Sequence, residues 1–317
     1  MRVSALILSG TTALVAATPQ RVDGQCLGQR LPTSASTRGV AMGDASTAMR
    51  DDDVIFYGPA QLAVARGTSA AAERYFDRLA SGTVSTASRL ASGGIGVGAQ
   101  VIEGRNVDPC LQPMLGPGGT FTFTTAARTI SRTLAVVGAA QTYKRFHVGA
   151  SAKYAAAQLD DQRTSRFLFD AGASRDFTLG DFVPLTVALA VQNIGTSARD
   201  TTQLITPLRG ALGLASGGPV GPFDLAIAAQ LAVERNGVQS IVRHGRFIPG
   251  LGVELGYTWL DGYSVAVRIG ERTPPTRTDL RHFTFGGGLV LDRISVDYAV
   301  EDLVGFRLAH RVGIRLR

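Results

Sequence analysis

The residues able to do chemistry are few and far apart in this sequence. None of the four histidines stands at metal-ligand spacing from a cysteine or from another histidine: His147, His244, His282 and His310. Gly94, Gly96 and Gly98 have the wrong spacing for a dinucleotide-binding turn and indicate small residues on one face of a strand. No serine-hydrolase elbow is present. The sequence therefore predicts no enzyme, no metal and no cofactor, although a Ser/His/Asp or paired-carboxylate site assembled across strands remains open.

Composition excludes several classes of protein. The chain has 317 residues, of which 45% are hydrophobic and 18% charged, with a formal net charge of +7. Its 32 basic residues are arginines except for Lys144 and Lys153, and they are scattered without a basic stripe. We therefore expect no nucleic-acid partner. After residue 17 no apolar run approaches the roughly 20 residues of a transmembrane helix, which leaves a soluble β-rich protein or a membrane β-barrel.

The first residues have the features of an export signal. Residues 1–17 combine an early Arg2, an apolar stretch and the small residues Val15-Ala16-Ala17. This pattern predicts a secretory signal peptide, so the mature chain is expected outside the cytoplasm. Cys26 and Cys110 would then meet an oxidising environment, where a disulfide and two unrelated thiols are equally compatible with the sequence.

From about residue 68 to the C-terminus, apolar residues alternate with polar or small ones at period 2, which is typical of β-strands. The clearest stretches are 223–234, 247–259, 263–270, 283–291, 294–300 and 306–316. Strands of about twelve residues are longer than those of soluble sheets and suit a tilted membrane crossing. A soluble β-sandwich remains the alternative.

The predicted connections alternate in length, as in outer-membrane barrels with short periplasmic turns and longer outer loops. The short ones are 144–145, 177–181, 217–221, 260–262 and 292–293; the longer ones are 158–163, 194–203, 235–246, 271–281 and 301–307. With 105–119 as an external loop leading into one strand that includes Leu134 to Tyr143, the count is about fourteen strands, and 120–131 is the least regular segment. We therefore predict an all-β fold, a transmembrane antiparallel β-barrel over 67–317, with a periplasmic C-terminus.

One face of these strands is apolar, and the other combines small residues with charged ones. In a barrel the second face points inward, where so many small residues indicate a wall that something packs against or passes along. Its ionisable members are His147, Lys153, Asp170, Arg209, Asp224, Glu234, Glu254, Arg268, Asp297, Arg307, Arg311 and Arg315.

Residues 33–65 differ from the rest, because Ala41, Ala45, Ala48 and Met49 have helical spacing. This part of the chain resembles the N-terminal signature of the PorV/PorQ proteins, which are relatives of the FadL-type outer-membrane transporters. The residues that carry the resemblance are Arg38-x-x-Ala41-Met42-Gly43-x-Ala45-x-x-Ala48-x-x-Asp51-Asp52 and Pro59-Ala60-x-Leu62-Ala63. Further landmarks follow in family order: Gly149-x-x-x-Lys153-Tyr154, Phe169-Asp170-x-Gly172, Val191-x-Asn193-x-Gly195, Pro207-Leu208-Arg209, Asp297-Tyr298-Ala299 and His310-Arg311.

The resemblance implies a fourteen-stranded barrel in a Gram-negative-type outer membrane, with segment 18–66 folded into the lumen as a plug or gate. The plug residues are then Arg38, Met42, Gly43, Asp44, Asp51, Asp52, Asp53 and Pro59. The implied function is to pass or hold hydrophobic small molecules; the alternative is a type IX-like secretion shuttle that binds exported proteins. Outer-membrane lipid and the barrel-assembly machinery are the other implied partners.

A plug would need to pair its buried charges with the wall. Arg38, Arg50, Asp44 and the acidic run 51–53 are therefore expected to meet wall residues such as Lys153, Arg209, Arg268 and Glu254. The acidic run is equally compatible with a solvated periplasmic turn. Calcium binding is disfavoured there, because consecutive carboxylates point in different directions.

Overall fold

The computed structural model describes residues 35–51, 53–76, 79–107, 113–115, 121–123, 128–180, 183–195, 206–235, 246–272, 282–303 and 307–316. Within these ranges the helix α1 spans Thr37–Ala41, and two 3₁₀ turns span Val54–Phe56 and Pro59–Ala63. The strands are β1 (Gly67–Phe76), β2 (Leu79–Leu90), β3 (Gly93–Val107), β4 (Pro113–Leu115), β5 (Phe121–Phe123), β6 (Arg128–Tyr143), β7 (Phe146–Leu159), β8 (Gln162–Leu179), β9 (Val183–Ile194), β10 (Leu208–Val220), β11 (Phe223–Arg235), β12 (Arg246–Leu260), β13 (Tyr263–Arg272), β14 (His282–Leu291), β15 (Ile294–Leu303) and β16 (Arg307–Leu316). The signal peptide predicted at 1–17 lies outside the described residues, as do Cys26 and Cys110.

Fourteen of these strands close into one antiparallel barrel in the order β1-β16-β15-β14-β13-β12-β11-β10-β9-β8-β7-β6-β3-β2. β1 pairs with β16, with Thr68 opposite Leu316, which removes both edges of the sheet. We call the end of the barrel where β1 begins and β16 ends the terminal end. β4 and β5 form a separate two-stranded sheet. The predicted fourteen-stranded all-β barrel is confirmed.

The two faces of the wall differ as the period-2 pattern predicts. Along β16 the outward Leu308, Val312 and Ile314 are about half exposed, whereas Arg311 and Arg315 are buried on the inward face. The wall strands contain 10 to 18 residues. At ~3.3 Å per residue, even the shortest can cross an apolar band of ~25 Å at a tilt. The outward side chains therefore form an apolar belt around the barrel.

Most connections are shorter than the sequence pattern predicts, and the three that follow are shortened most. The observed connections are 160–161 in place of 158–163, 304–306 in place of 301–307, and 221–222 in place of 217–221. Ladder pairing continues through residues that break the alternation of apolar and polar types, since Gln162 still pairs with Leu159 and Asp302 with Leu308. Backbone pairing does not depend on the side-chain pattern, so the pattern underestimates strand length.

The irregular segment 120–131 does not form one element. Phe121–Phe123 is β5 and pairs with β4 outside the barrel, whereas Arg128 begins the long wall strand β6. β3 continues to Val107, so the external loop predicted at 105–119 begins later and contains β4. The predicted single strand that includes Leu134 to Tyr143 is β6.

The N-terminal helix is shorter than the alanine spacing predicts. Ser36 caps α1 by accepting a 2.9 Å hydrogen bond from the amide of Gly39. Gly43 and Asp44 then adopt positive φ angles of 66° and 59°, which end the helix before Ala45. No helix in the described part of the chain is long and apolar enough to cross a membrane.

The closed wall leads to a test of the fold. Unfolding requires at least two strand ladders to break together, so we expect the protein in detergent to migrate faster on an SDS gel before boiling than after. Its β-sheet circular dichroism should disappear only on boiling. Identical migration before and after boiling, or a protein that stays soluble without detergent, would contradict a membrane barrel.

Candidate functional site

Residues 35–51 and 53–65, called the N-terminal segment below, pack against the inward face of the wall on two sides. α1 contacts β13–β16, whereas the turn Pro59–Ala63 contacts β2, β3 and β6–β9. Val54, Ile55 and Leu62 are completely buried. They share an apolar cluster with wall residues of β6–β8. The segment therefore bridges two parts of the wall.

Glycines make room for this segment. A Cβ atom on Gly252 or Gly270 would collide with the backbone at Met42 and Gly43, and one on Gly149 would collide with Pro59. The wall glycines whose Cβ would meet segment atoms are Gly94, Gly96, Gly98, Gly138, Gly149, Gly172, Gly213, Gly250, Gly252, Gly270, Gly286 and Gly313. Close approach of the segment, by its backbone or by its side chains, explains these glycines. In the alternating run at 94–98, Gly94 lies against the carbonyl of Leu62, and Gly96 and Gly98 lie against the side chains of Leu62 and Phe56.

A closed ring of alternating charges joins the segment to the wall. Each of its three arginines bridges two carboxylates; the members in order are Arg38, Glu254, Arg268, Asp297, Arg315 and Asp51. Arg38 and Asp51 belong to the segment, and the other four belong to β12, β13, β15 and β16. We call this arrangement the charge ring.

The geometry of the charge ring is that of strong, charge-assisted hydrogen bonds. Arg38 donates from Nε and Nη2 to the two carboxylate oxygens of Glu254 at 2.8 and 2.7 Å, and from Nη1 to Asp51 at 2.9 Å. Arg315 donates from Nη1 to Asp51 at 3.1 Å and from Nε to Asp297 at 2.9 Å. Bidentate pairing of this kind fixes orientation as well as distance.

The wall half of the ring depends on another glycine. Arg268 and Asp297 stand on β13 and β15, on either side of β14, and meet at 2.6 Å. A Cβ on Gly288 of β14 would lie 2.6 Å from Nη2 of Arg268 and 2.6 Å from Oδ1 of Asp297. The missing side chain therefore leaves the space in which this ion pair forms.

Burial makes the ring energetically important. Burial alone would raise the pKa of Asp51, but attraction to Arg38 and Arg315 outweighs it and lowers the pKa to about 2. Burial likewise opposes the charge on Arg38, yet Asp51 and Glu254 raise its pKa above the ordinary value. Removing one partner of a buried pair typically costs about 3–5 kcal/mol, because the other charge is left uncompensated.

Farther from the terminal end, additional contacts hold the segment. Arg311 donates a 2.9 Å hydrogen bond to Glu73 and also binds the carbonyl oxygen of Ala35. Arg272 pairs with Glu301 and lies 3.9 Å from the carboxylate of Asp44. These contacts hold the segment close to β1 and to the β13–β16 side of the wall.

The carbonyl oxygen of Phe56 is held by two wall side chains. Lys153 donates to it at 3.3 Å and Gln192 at 3.0 Å. Lys153 also forms a 2.6 Å ion pair with Asp170, which accepts a 2.8 Å hydrogen bond from the amide of Asn193. Lys153 and Asp170 thus support the segment through its backbone rather than through an acidic side chain.

Against β8–β11 the segment leaves a cavity of about 250 Å³ at the terminal end. Met42, Ala48 and Met49 line it from the segment. Arg50 crosses to the wall here, where it pairs with Asp176 and donates a 3.0 Å hydrogen bond to Thr186.

One hydrogen-bonded chain at this place has the residue types of a catalytic triad. Nδ1 of His147 lies 3.0 Å from Oγ1 of Thr142, and Nε2 lies 3.2 Å from Oδ2 of Asp176. The carboxylate of Asp176 is also bound by Arg50 and Thr186. This arrangement makes His147 a support for the Arg50–Asp176 pair. Among the described residues, no group of three or more His, Cys, Asp or Glu side chains is placed to hold a metal ion.

The structure brings together some of the predicted partners and separates others. Arg38 meets Glu254 as expected, but Asp51 meets Arg315 instead of Lys153 or Arg209. His147, Asp170, Arg268, Asp297 and Arg311 are buried on the inward face, as predicted.

The other predicted site residues have varied positions. Met42 and Gly43 lie against the wall glycines and Pro59 against Gly149, while Asp53 is buried. Arg209 is buried and stands opposite the buried Glu234 in the β10–β11 register. Arg307 is the first residue of β16, opposite Leu303, and Asp52 lies outside the described residues.

Several inward-facing charges were not predicted from the sequence. Arg272 lies four residues after Arg268 on β13, and Glu301 lies four residues after Asp297 on β15. Residues four apart share one face of a strand, so the alternation in the sequence predicts that both point inward. Arg132 on β6 is buried, and its Nε and Nη1 have no hydrogen-bond partner within the described residues. It shares an inward face with Leu134 and would have been found in the same way.

Comparison with solved structures identifies three that share the fold over nearly their whole length. The toluene transporter TodX of Pseudomonas putida has a TM-score of 0.57 and 12% identity, covering 88% of this chain and 96% of that chain. The toluene transporter TbuX of Ralstonia pickettii has a TM-score of 0.55 and 11% identity, covering 88% of this chain and 97% of that chain. A FadL homologue of Pseudomonas aeruginosa has a TM-score of 0.53 and 11% identity, covering 93% of this chain and 99% of that chain. The chain shares the barrel fold of these three structures, while no protein-family model and no curated protein matches the sequence.

The space at Gly288 allows a test of the charge ring. We expect Gly288→Val to force Arg268 and Asp297 apart and to destabilise the folded protein by about 3–5 kcal/mol, seen as a lower temperature for the loss of the fast-migrating gel band. Gly82→Val on β2 is the matched control, because a Cβ there has no neighbour within 4 Å. If both variants lose the fast-migrating band at the same temperature, the ring contributes little to the stability of the folded protein.

The lowered pKa of Asp51 gives a second test of the ring. Because the pKa of Asp51 is about 2 in the folded protein and has the ordinary value of 3.8 in the unfolded chain, its stabilisation is complete above about pH 4 and is lost as the pH falls toward 2. The loss should amount to about 2 kcal/mol. Thermal midpoints measured between pH 5 and 2 should fall more steeply in the wild type than in Asp51→Asn. Parallel profiles would refute this assignment.

Proposed function

We propose that the protein is an outer-membrane channel for small hydrophobic molecules, with the N-terminal segment as its plug. The observation that carries the proposal is the charge ring, which fastens a buried segment to the inward face of a closed barrel. A structural core would be served better by apolar packing, since buried ion pairs add little net stability. The ring instead gives the segment one defined position in the lumen, because each of its charges meets a fixed partner of opposite sign on the wall.

The chemistry of the inner wall supports transport rather than catalysis. The segment and the wall form an open cavity whose lining is mostly apolar, and we infer that hydrophobic molecules pass along this side. TodX and TbuX, which have the same fold, are transporters of toluene, and we extend that ligand class to this chain. The terminal end, which carries most of the short turns, then faces the periplasm.

The resemblance to PorV/PorQ concerns sequence landmarks of the segment and wall, and the secretion-shuttle alternative would place cargo on the outer loops. Much of those loops, 196–205, 236–245 and 273–281, lies outside the described residues. The shuttle, with exported proteins as partners, therefore stays an alternative prediction. Outer-membrane lipid and the barrel-assembly machinery are partners that our proposal requires.

Two measurements test the proposal. Cells whose outer membrane contains the protein should take up labelled toluene faster than cells without it, and uptake of a charged analogue such as benzoate should be unchanged. Deletion of residues 35–65 should raise the conductance of the barrel in planar bilayers severalfold, because the lumen loses the segment that fills it. Unchanged toluene uptake would refute the channel, and unchanged conductance would refute the plug.

A further inference from the structure

The cavity beside the N-terminal segment has the composition of a small-molecule site. It lies at the terminal end between the segment and β8–β11, and of the charge ring only Arg38 reaches its boundary. Met42, Ala48 and Met49 form one side, and Leu185, Ala226 and Ala228 contribute to the other. The two methionines are flexible and polarisable, so they adapt their shape to a bound group and make favourable contacts with aromatic rings.

The charges at the boundary of the cavity favour an uncharged ligand. Arg38 is engaged by Glu254 and Asp51, and Arg50 is engaged by Asp176 and Thr186. A ligand carboxylate would have to displace a protein carboxylate from one of these arginines. An apolar ligand requires only the apolar part of the lining, and its burial is favourable without any exchange of ion pairs.

The volume of the cavity limits the size of the ligand. Dry apolar cavities of about 150 Å³ bind benzene, so a cavity of about 250 Å³ can hold one substituted ring. A fused or long-chain molecule would extend beyond it.

The Arg50–Asp176 pair is placed to cover this cavity. Both residues line it, and their side chains are 45% and 38% exposed, whereas Asp51 in the ring is only 4% exposed. Ion pairs at such exposure are weak and open without leaving a buried charge. Thr186 and His147 hold Asp176 in position by hydrogen bonds of 3.0 and 3.2 Å.

We propose that this cavity binds one uncharged apolar molecule of single-ring size, and that the Arg50–Asp176 pair covers it on the solvent side. The proposal rests on the proposed function, since it gives the channel a defined binding step at the terminal end. Release then requires only the exposed pair to open, while the charge ring keeps the segment attached to the wall.

The experiment measures binding of fluorobenzene to the full chain in lipid nanodiscs by ¹⁹F NMR, with protein-free nanodiscs to subtract partition into lipid. Ala226→Phe places a ring inside the cavity, and Ala229→Phe places the same ring on the outward face of the same strand. We expect Ala226→Phe to weaken binding at least tenfold and Ala229→Phe to match the wild type. Equal binding by all three folded proteins would overturn the site.

A second variant keeps the test decisive if Ala226→Phe fails to show the heat-modifiable band of a folded barrel. Met49→Ala enlarges the cavity from the segment side, so it should increase the affinity for 1-fluoronaphthalene relative to fluorobenzene severalfold. An unchanged ratio would overturn the assignment of the cavity.

The cover is tested in the same nanodiscs. Asp176→Asn removes the ion pair but not the cavity, and should raise the dissociation rate of fluorobenzene three- to tenfold. An unchanged rate would show that the pair is not a cover.

Toluene uptake by cells separates this inference from the proposed function. Uptake that depends on the protein, together with binding insensitive to Ala226→Phe, would refute the cavity site alone. Binding that responds to Ala226→Phe without any increase in uptake would refute the channel alone.

Discussion

The charge ring is the interaction on which the rest of the structure depends. Six ionised groups cannot be buried in a lumen unless each has partners of opposite charge, and here four come from the wall and two from the N-terminal segment. Without the N-terminal segment the wall would keep unpaired charges, and the segment would likewise keep unpaired charges without the wall. Correct pairing therefore requires that the segment enter in one orientation and that β12–β16 have the observed register.

The glycines follow from the same constraint. For Arg38 and Asp51 to reach the wall carboxylates and arginines, the backbone of the segment must run against the wall, and side chains at Gly252 or Gly270 would prevent that approach. At Gly288 the missing side chain makes space within the ring itself. The low charged fraction and the high glycine content of the chain thus reflect the two faces of the wall. The inward face consists largely of small residues, with a few charges at defined contacts, and the outward face is apolar.

Much of this fold is predictable from the sequence, because strand period depends only on the order of residue types. The fourteen strands, their outward apolar face and the inward position of Arg268, Asp297 and Arg311 all follow from that order. The partners of the charges do not, because they depend on strand registers and on contacts more than 200 residues apart, such as Arg38 with Glu254. The helix ends earlier than the alanine spacing predicts because Gly43 and Asp44 adopt positive φ angles, and neither alanine spacing nor composition reveals a left-handed backbone.

The contacts that hold the segment are unequal on its two sides, and this asymmetry determines how it can move. Toward β12–β16 it is held by buried pairs that strengthen one another and are poorly screened by salt. Toward β8–β11 the ionic contact at the cavity is the exposed Arg50–Asp176 pair, whose rupture returns both groups to water at little cost. Of the ionic contacts, the Arg50–Asp176 pair beside the cavity therefore opens most easily, while the charge ring remains closed. If the N-terminal segment is the plug that we propose, a small molecule can pass it without releasing it, and selectivity by size and charge then follows from the distribution of ion pairs rather than from a fixed pore.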